Sequence, residues 1–143
     1  MPVSLPSPEK VRILTASKDL KGEDADRYGD LFLEGGRPAM AMMFYERSKN
    51  PERLGRVKDY AVRLGDAFFL HWVSKLVPDL VSEPEWAAAG ERALADGKVI
   101  FARDCFERAN SPEKVQEARS QYLRLFESSS PRTDDRKESP AGG

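Results

Sequence analysis

Three glycines punctuate the chain at near-regular intervals, Gly36, Gly65 and Gly97, spaced 29 and 32 residues apart. Each follows an apolar stretch of helical periodicity. A large apolar residue stands four places after each glycine, at Met40, Phe69 and Phe101, and Ala41, Leu70 and Ala102 follow directly. Shifted by 61 residues, the first copy matches the third at Gly29 with Gly90, Leu33 with Leu94, Glu46-Arg47 with Glu107-Arg108, and Pro51-Glu52 with Pro112-Glu113. A unit of about 30 residues made of two short helices cannot bury its own apolar face, so its copies must stack into a curved array.

Capping signals set the predicted boundaries. Ser7, Pro8 and Glu9 open a helix expected to reach about Leu20, with Gly22 breaking it. Residues 23–34 carry Tyr28, Leu31 and Phe32 at helical spacing before Gly35-Gly36, and their partner helix is predicted from Arg37 to Lys49. Asn50-Pro51 marks the next boundary. In the second copy Leu54, Val57, Ala61, Val62 and Leu64 lead to Gly65, and Asp66 is the expected N-cap of a helix over 67–77. Ser82, Pro84 and Glu85 form a capping-box start for the third leading helix, which runs to Gly97, and its partner covers 98–109. Ser111-Pro112-Glu113 begins a last helix through Val115, Ala118, Tyr122, Leu125 and Phe126. Its other face, with Glu117, Arg119, Gln121 and Arg124, suits a solvated lid over the array. The repeat domain is thus expected over residues 8–127. Residues 1–7 are expected to be a flexible lead, and 128–143, rich in Ser, Pro, Gly and balanced charge, a disordered tail.

Composition narrows the function. With 23 basic against 24 acidic residues, no global field favours nucleic acid. The single cysteine, Cys105, excludes an internal disulfide and fits a reducing compartment. The stretch from Met1 to Pro6 has neither the basic cluster nor the apolar run of a signal peptide, and no run approaches the roughly 18 apolar residues of a membrane span. A cytoplasmic chain without membrane insertion is expected.

In the third copy Trp86, Gly90, Ala93, Gly97, Ala102, Phe106 and Ala109 resemble the signature of the tetratricopeptide repeat family. The first copy matches at Gly29, Phe32, Gly36, Ala41 and Tyr45, with Ser48 in place of the usual Ala. The second keeps Gly65 but has Lys58 where a Gly is expected and Leu70 where a small residue is expected. The intervals also depart from that family's regular 34 residues. Such shortened copies are similar to the helical solenoids of vesicle-coat and intraflagellar-transport scaffolds. The resemblance spans about residues 23–126. It implies an all-α fold, a right-handed α-α superhelix of about three tetratricopeptide-like helix hairpins with flanking N-terminal and C-terminal capping helices. It also implies that aromatic and small residues knit each hairpin together.

For function, the resemblance implies a groove lined by the leading helices that holds a peptide or partner helix, in a non-catalytic protein–protein interaction module or scaffold. The residues mapped to that groove are Asp26, Asp30, Glu34, Asp59, Arg63 and Glu91. Their predominantly acidic character favours a basic or mixed-charge protein or peptide partner. A plain solvated face is the alternative. The trailing helices spread apolar residues around several sides, as packing against two neighbours requires. Met40, Phe69 and Phe101 are instead candidates for an outer apolar ridge that makes the chain a self-assembling homo-oligomer.

Catalytic chemistry has little foundation. His71 is the only histidine and lies in an aromatic run, where a packed role is favoured; a small helical enzyme or ligand binder centred on it is the contrasting class. Cys105 aligns with Phe44 and Val73 and reads as a small buried apolar residue. No metal-ligand spacing or phosphate-cradling loop is present, so no metal, cofactor or catalytic residue is expected.

Overall fold

The computed structural model describes residues 4–129, and among them the chain forms eight α-helices and no strand. These are α1 (Pro8–Ala16), α2 (Gly22–Glu34), α3 (Pro38–Ser48), α4 (Pro51–Leu64), α5 (Ala67–Leu76), α6 (Glu83–Ala95), α7 (Val99–Arg108) and α8 (Pro112–Ser129). Residues 1–3 of the expected lead and 130–143 of the expected tail lie outside the described residues. Within the lead, Leu5 is half-buried and packs against the core.

The capping residues act as their types dictate. Ser7 Oγ accepts from the Lys10 amide at 3.2 Å, Asn50 Oδ1 from Glu52 at 3.0 Å, and Asp66 Oδ1 from Phe69 at 3.2 Å. Ser82 and Glu85 complete a reciprocal capping box, with the Ser82 amide donating to Glu85 Oε1 at 3.0 Å. Each such cap satisfies amides that would otherwise lack partners and contributes about 1 kcal/mol.

Gly36, Gly65 and Gly97 all adopt the left-handed region, at φ 75°, 64° and 78°. Each is closed in the same way. The residue after the glycine donates its amide five residues back along the turn: Arg37 to the Phe32 carbonyl at 2.8 Å, Asp66 to Ala61 at 2.9 Å and Lys98 to Ala93 at 2.8 Å. The glycine amides themselves bond Leu33, Val62 and Leu94. This is the Schellman closure, and its αL position favours a residue without Cβ. Asn110, at φ 56°, ends α7 with the same pattern, the Ser111 amide donating to Phe106.

The hairpin α2–α3 is locked where Gly29 lies under the Tyr45 ring, and α6–α7 where Gly90 lies under Phe106. A Cβ at either glycine would stand under 3.0 Å from ring atoms. The middle hairpin, α4–α5, carries other residues at the equivalent positions: Lys58 stands in place of the glycine and the buried Ser74 in place of the ring. Lys58 then reaches out of the hairpin, 2.9 Å from Glu85 Oε2 and 3.4 Å from the Leu80 carbonyl.

The second and third hairpins touch helix to helix, α4 against α6 and α5 against α7, and the first meets the second through α3 against α4. Gly65 sits directly on the α6 backbone; a Cβ there would lie 2.5 Å from the Ala93 nitrogen and 2.9 Å from the Ala89 oxygen. The main buried cluster runs from Val11 in α1 through Phe32, Phe44, Tyr45, Leu54, Leu70 and Trp86 to Ala109. Tyr28 and Phe32 stack on Phe44 with centroids 5.1 and 5.7 Å apart. A second cluster joins Ala93, Val99, Ala102, Phe106 and Ala118 across α6, α7 and α8, and Phe101 packs against both. Each fully buried aromatic or branched side chain contributes about 1.5 to 3 kcal/mol by leaving water.

Three elements depart from expectation at their ends. Helix α1 stops at Ala16 instead of Leu20 because its last carbonyls are taken up from outside: Arg47 donates to Thr15 at 2.6 Å, to Ser17 at 2.7 Å and to Leu20 at 3.4 Å. Gly22 opens α2 and does not merely break α1. Helix α8 continues to Ser129, into the expected tail. Its apolar stripe is also less covered than the sequence suggested: Ala118 is buried and Val115 half-buried, whereas Tyr122, Leu125 and Phe126 are exposed. At 1.5 Å per residue α8 extends about 27 Å against about 15 Å for α7, and Tyr122, Leu125 and Phe126 line an open hollow with Gly97, Val99 and Ile100 at the start of α7.

Candidate partner-binding surface

The leading helices α2, α4 and α6 carry the six residues that the sequence mapped to a groove, and these divide into two kinds. Asp30 is structural. It accepts hydrogen bonds from the Tyr45 hydroxyl at 2.7 Å and, bidentately, from Arg53 Nε at 3.2 Å and Nη2 at 3.0 Å, with Arg56 Nη1 3.9 Å away. Burial works to raise its carboxyl, but the bonds from Arg53 and Tyr45 outweigh this and hold it below the usual carboxylate range. On the other side of the bond, burial and then Asp30 push the Tyr45 phenol well up. One carboxylate thereby joins α2, α3 and α4.

Asp26 likewise accepts from Asn50 Nδ2 at 2.9 Å, so that Asn50 caps α4 with one amide atom and ties it to α2 with the other. Glu91 pairs with Lys114 of α8 at 3.0 Å, and this bond leads the influences that raise the Lys114 ammonium. Glu34, Asp59 and Arg63 are exposed. Arg63 makes no ion pair among the described residues and lies over the Tyr60 ring, 6.0 Å from its centroid. The charges left to meet a partner are therefore mixed in sign.

Arg63 also lines a cleft of about 160 Å³ where the end of α2 and the α2–α3 turn face α4; Leu33, Gly36, Pro38, Arg56 and Tyr60 complete the lining. Sequence reasoning did not select Arg53, Arg56 or Tyr60. The signal was available in the spacing of Arg56, Tyr60 and Arg63, which at i, i+4 and i+7 share one helix stripe.

On the trailing helices Met40, Phe69 and Phe101 are half-buried against the core. The exposed aromatic there is Phe68, at 59% exposure, set edge-on to Phe69 at 5.6 Å and to Trp72 at 5.7 Å. Phe69 and Trp72 stack at 6.1 Å, and the Trp72 indole donates to Glu46 of α3.

His71 is half-buried with its ring 5.0 Å from Trp86, whose other neighbour is the Arg108 guanidinium at 5.0 Å. Burial, then Arg108, lowers the imidazole, and Asp104 opposes them. Cys105 is fully buried, and burial, with Asp104 and Asp66, pushes its thiol up to about 12. Such a thiol is a packing group, far from the thiolate that nucleophilic chemistry needs. Among the described residues no group of three or more His, Cys, Asp or Glu side chains is placed to hold a metal ion, and no helix is long and apolar enough to cross a membrane.

Comparison of the chain with protein-family models, with curated proteins and with solved structures finds no match.

Proposed function

We propose that this chain is a non-catalytic protein–protein interaction module, a tetratricopeptide-like superhelix of three hairpins whose leading helices hold a peptide or partner helix of mixed charge. The observation that carries the reading is repetition of one local solution. Gly36, Gly65 and Gly97 close three turns with the same bonds, and Gly29–Tyr45 and Gly90–Phe106 form the same lock. Stacked units of this kind gain stability from their neighbours and leave one continuous side for binding. That side carries Glu34, Asp59 and Arg63 as exposed charges, which give orientation and specificity more than affinity. A cytoplasmic location accompanies the reading.

The test is a photo-crosslinking amino acid placed at Asp59, with Arg119 on α8 as the control site. A discrete adduct from position 59, absent from 119 and diminished by Glu34→Lys with the fold intact, supports the groove. Equal labelling from both sites, or none from 59, sinks it.

A second reading, self-association through the trailing helices, draws on the exposed Phe68 with Phe69 and Trp72 beside it. Large exposed aromatics of this sort mark contact surfaces. Sedimentation decides it: a concentration-dependent dimer that Phe68→Ser abolishes favours self-assembly, and a strict monomer removes it.

A further inference from the structure

We infer that the two ends of the array fit each other: α8 of one copy docks beside α2 of a second copy, in the place that α4 holds beside α6, so that copies add head to tail. This contact is independent of the leading-helix groove and uses other residues than the Phe68 surface.

The 61-residue shift carries more than the hairpins. It lays α6, α7 and α8 on α2, α3 and α4 with matching starts, since Glu83, Val99 and Pro112 fall on Gly22, Pro38 and Pro51. It also brings α5 onto α1, and α1 meets α3 as α5 meets α7. The contact left without a counterpart among the described residues is the one that α4 makes with α6. There Lys58 stands 2.9 Å from Glu85 Oε2 and 3.4 Å from the Leu80 carbonyl, and Gly65 lies on the backbone of Ala89 and Ala93. The equivalents of Glu85, Leu80 and Ala89 are Asp24, Asp19 and Tyr28. All three line a hollow of about 530 Å³ between the end of α1 and α2, with Leu14, Leu20 and Leu31 as its apolar wall.

The opposite end of the chain supplies the matching helix. Helix α8 is the counterpart of α4, and the exposed Arg119 stands where α4 has Lys58. Ala61 and Val62 lie on the α4 stripe between Lys58 and Gly65, one buried and the other half-buried. Their equivalents on α8 are Tyr122 and Leu123, 45% and 50% exposed. Docked on a second copy, Tyr122 and Leu123 enter the hollow and Arg119 reaches Asp24, as Lys58 reaches Glu85. Bulk is complementary too: small residues of α4 meet α6 flush, and large residues of α8 meet a face of α2 that has room for them.

Asp24 already pairs with Arg27 of its own helix, on the surface, where such pairs are weak. A carboxylate at this place serves two partners in the third copy, where Glu85 Oε1 accepts from Ser82 and Oε2 meets Lys58. Asp19 adds a second negative charge to the hollow, so a basic and apolar helix is the occupant that it suits.

The experiment is sedimentation of the full chain over rising concentration, with circular dichroism to confirm that each variant keeps its helices. A heterologous contact does not close on two copies, so the average mass is expected to climb past that of a dimer. Leu123→Ser should weaken association at least about tenfold. Asp24→Lys and Arg119→Glu should each weaken it alone, because like charges then face each other. Mixing these two variants restores growth, with the copies alternating, since every junction in the mixture again joins opposite charges. A monomer at every concentration, a dimer that grows no further, association untouched by Leu123→Ser, or a mixture no stronger than either charge variant overturns the contact. Labelling from position 119 then joins two copies of the chain and differs in mass from an adduct of another protein at position 59.

Discussion

Lys58 lies 2.9 Å from Glu85, so the second and third hairpins are joined by an ion pair at the very position where the first and third copies carry a glycine. Burial alone would raise the Glu85 carboxyl, but Lys58 and the Ser82 amide and hydroxyl together hold it below the usual range. Lys58→Met keeps the aliphatic stem and removes the charge, and it is expected to cost about 1 to 2 kcal/mol by stranding Glu85. Lys58→Gly should cost about 1 kcal/mol more, since it adds helix-interior glycine entropy. Urea unfolding of both variants checks the order.

The glycines divide by what surrounds them. Gly90→Ala and Gly29→Ala drive a methyl into Phe106 and Tyr45 and should destabilise by about 1 to 3 kcal/mol. Gly65→Ala combines left-handed strain with a clash against the α6 backbone and should cost about 2 to 4 kcal/mol. Gly55, inside α4 with open space around its Cβ position, predicts the opposite: Gly55→Ala stabilises by about 0.5 to 1 kcal/mol. Thermal melts of the four variants would expose any reversal of this ranking.

Acid should loosen the α2–α3–α4 junction. The Asp30 carboxyl is lowered in the folded chain, so between its folded value and about 3.9 the unfolded state binds more protons. Its stabilisation is complete above the unfolded value and is lost as pH falls through the folded one. Asp30→Asn should cost about 1 to 3 kcal/mol at neutral pH and flatten that acid limb, while Tyr45→Phe, losing one hydroxyl bond, should cost about 1 kcal/mol. Melting temperature followed from pH 7 to pH 3 reads both.

His71 gives a second, separate pH dependence. Its imidazole is lowered in the fold, where Trp86 and Arg108 face it and Asp104 opposes them. The neutral ring is therefore favoured: its contribution is full above about 6.5 and declines as pH falls from there through the folded value. His71→Phe should remove the slope that sets in below about pH 6.5. As the only histidine it also titrates alone in a proton spectrum, so a midpoint at or above about 6.5 would refute the assignment.

The helices and their starts were legible because capping and turn geometry are local. Ser7, Asp66 and the Ser82–Glu85 box sit where their side chains satisfy amides two or three residues on, and the turn glycines declared themselves by spacing. The surface was less legible. Whether Asp30 meets a partner or a neighbouring helix depends on Arg53, 23 residues away, and on Tyr45, which the repeat pattern marked only as a ring over Gly29. The end of α1 was misjudged for the same reason, since Arg47 caps it from more than 30 residues downstream. The exposure of Tyr122, Leu125 and Phe126 depends on how loosely the later turns of α8 meet the start of α7, which periodicity alone does not fix.

Helix α7 and its C-cap turn Cys105 and Ala109 toward the larger buried cluster and Val99, Ala102 and Phe106 toward the smaller one, which α8 closes through Ala118. The two sides are thus sealed by different elements. If α8 swings away, it bares the smaller side and leaves the seven helices before it with their main apolar interior intact, so the molecule has a natural order of coming apart that begins at its far end.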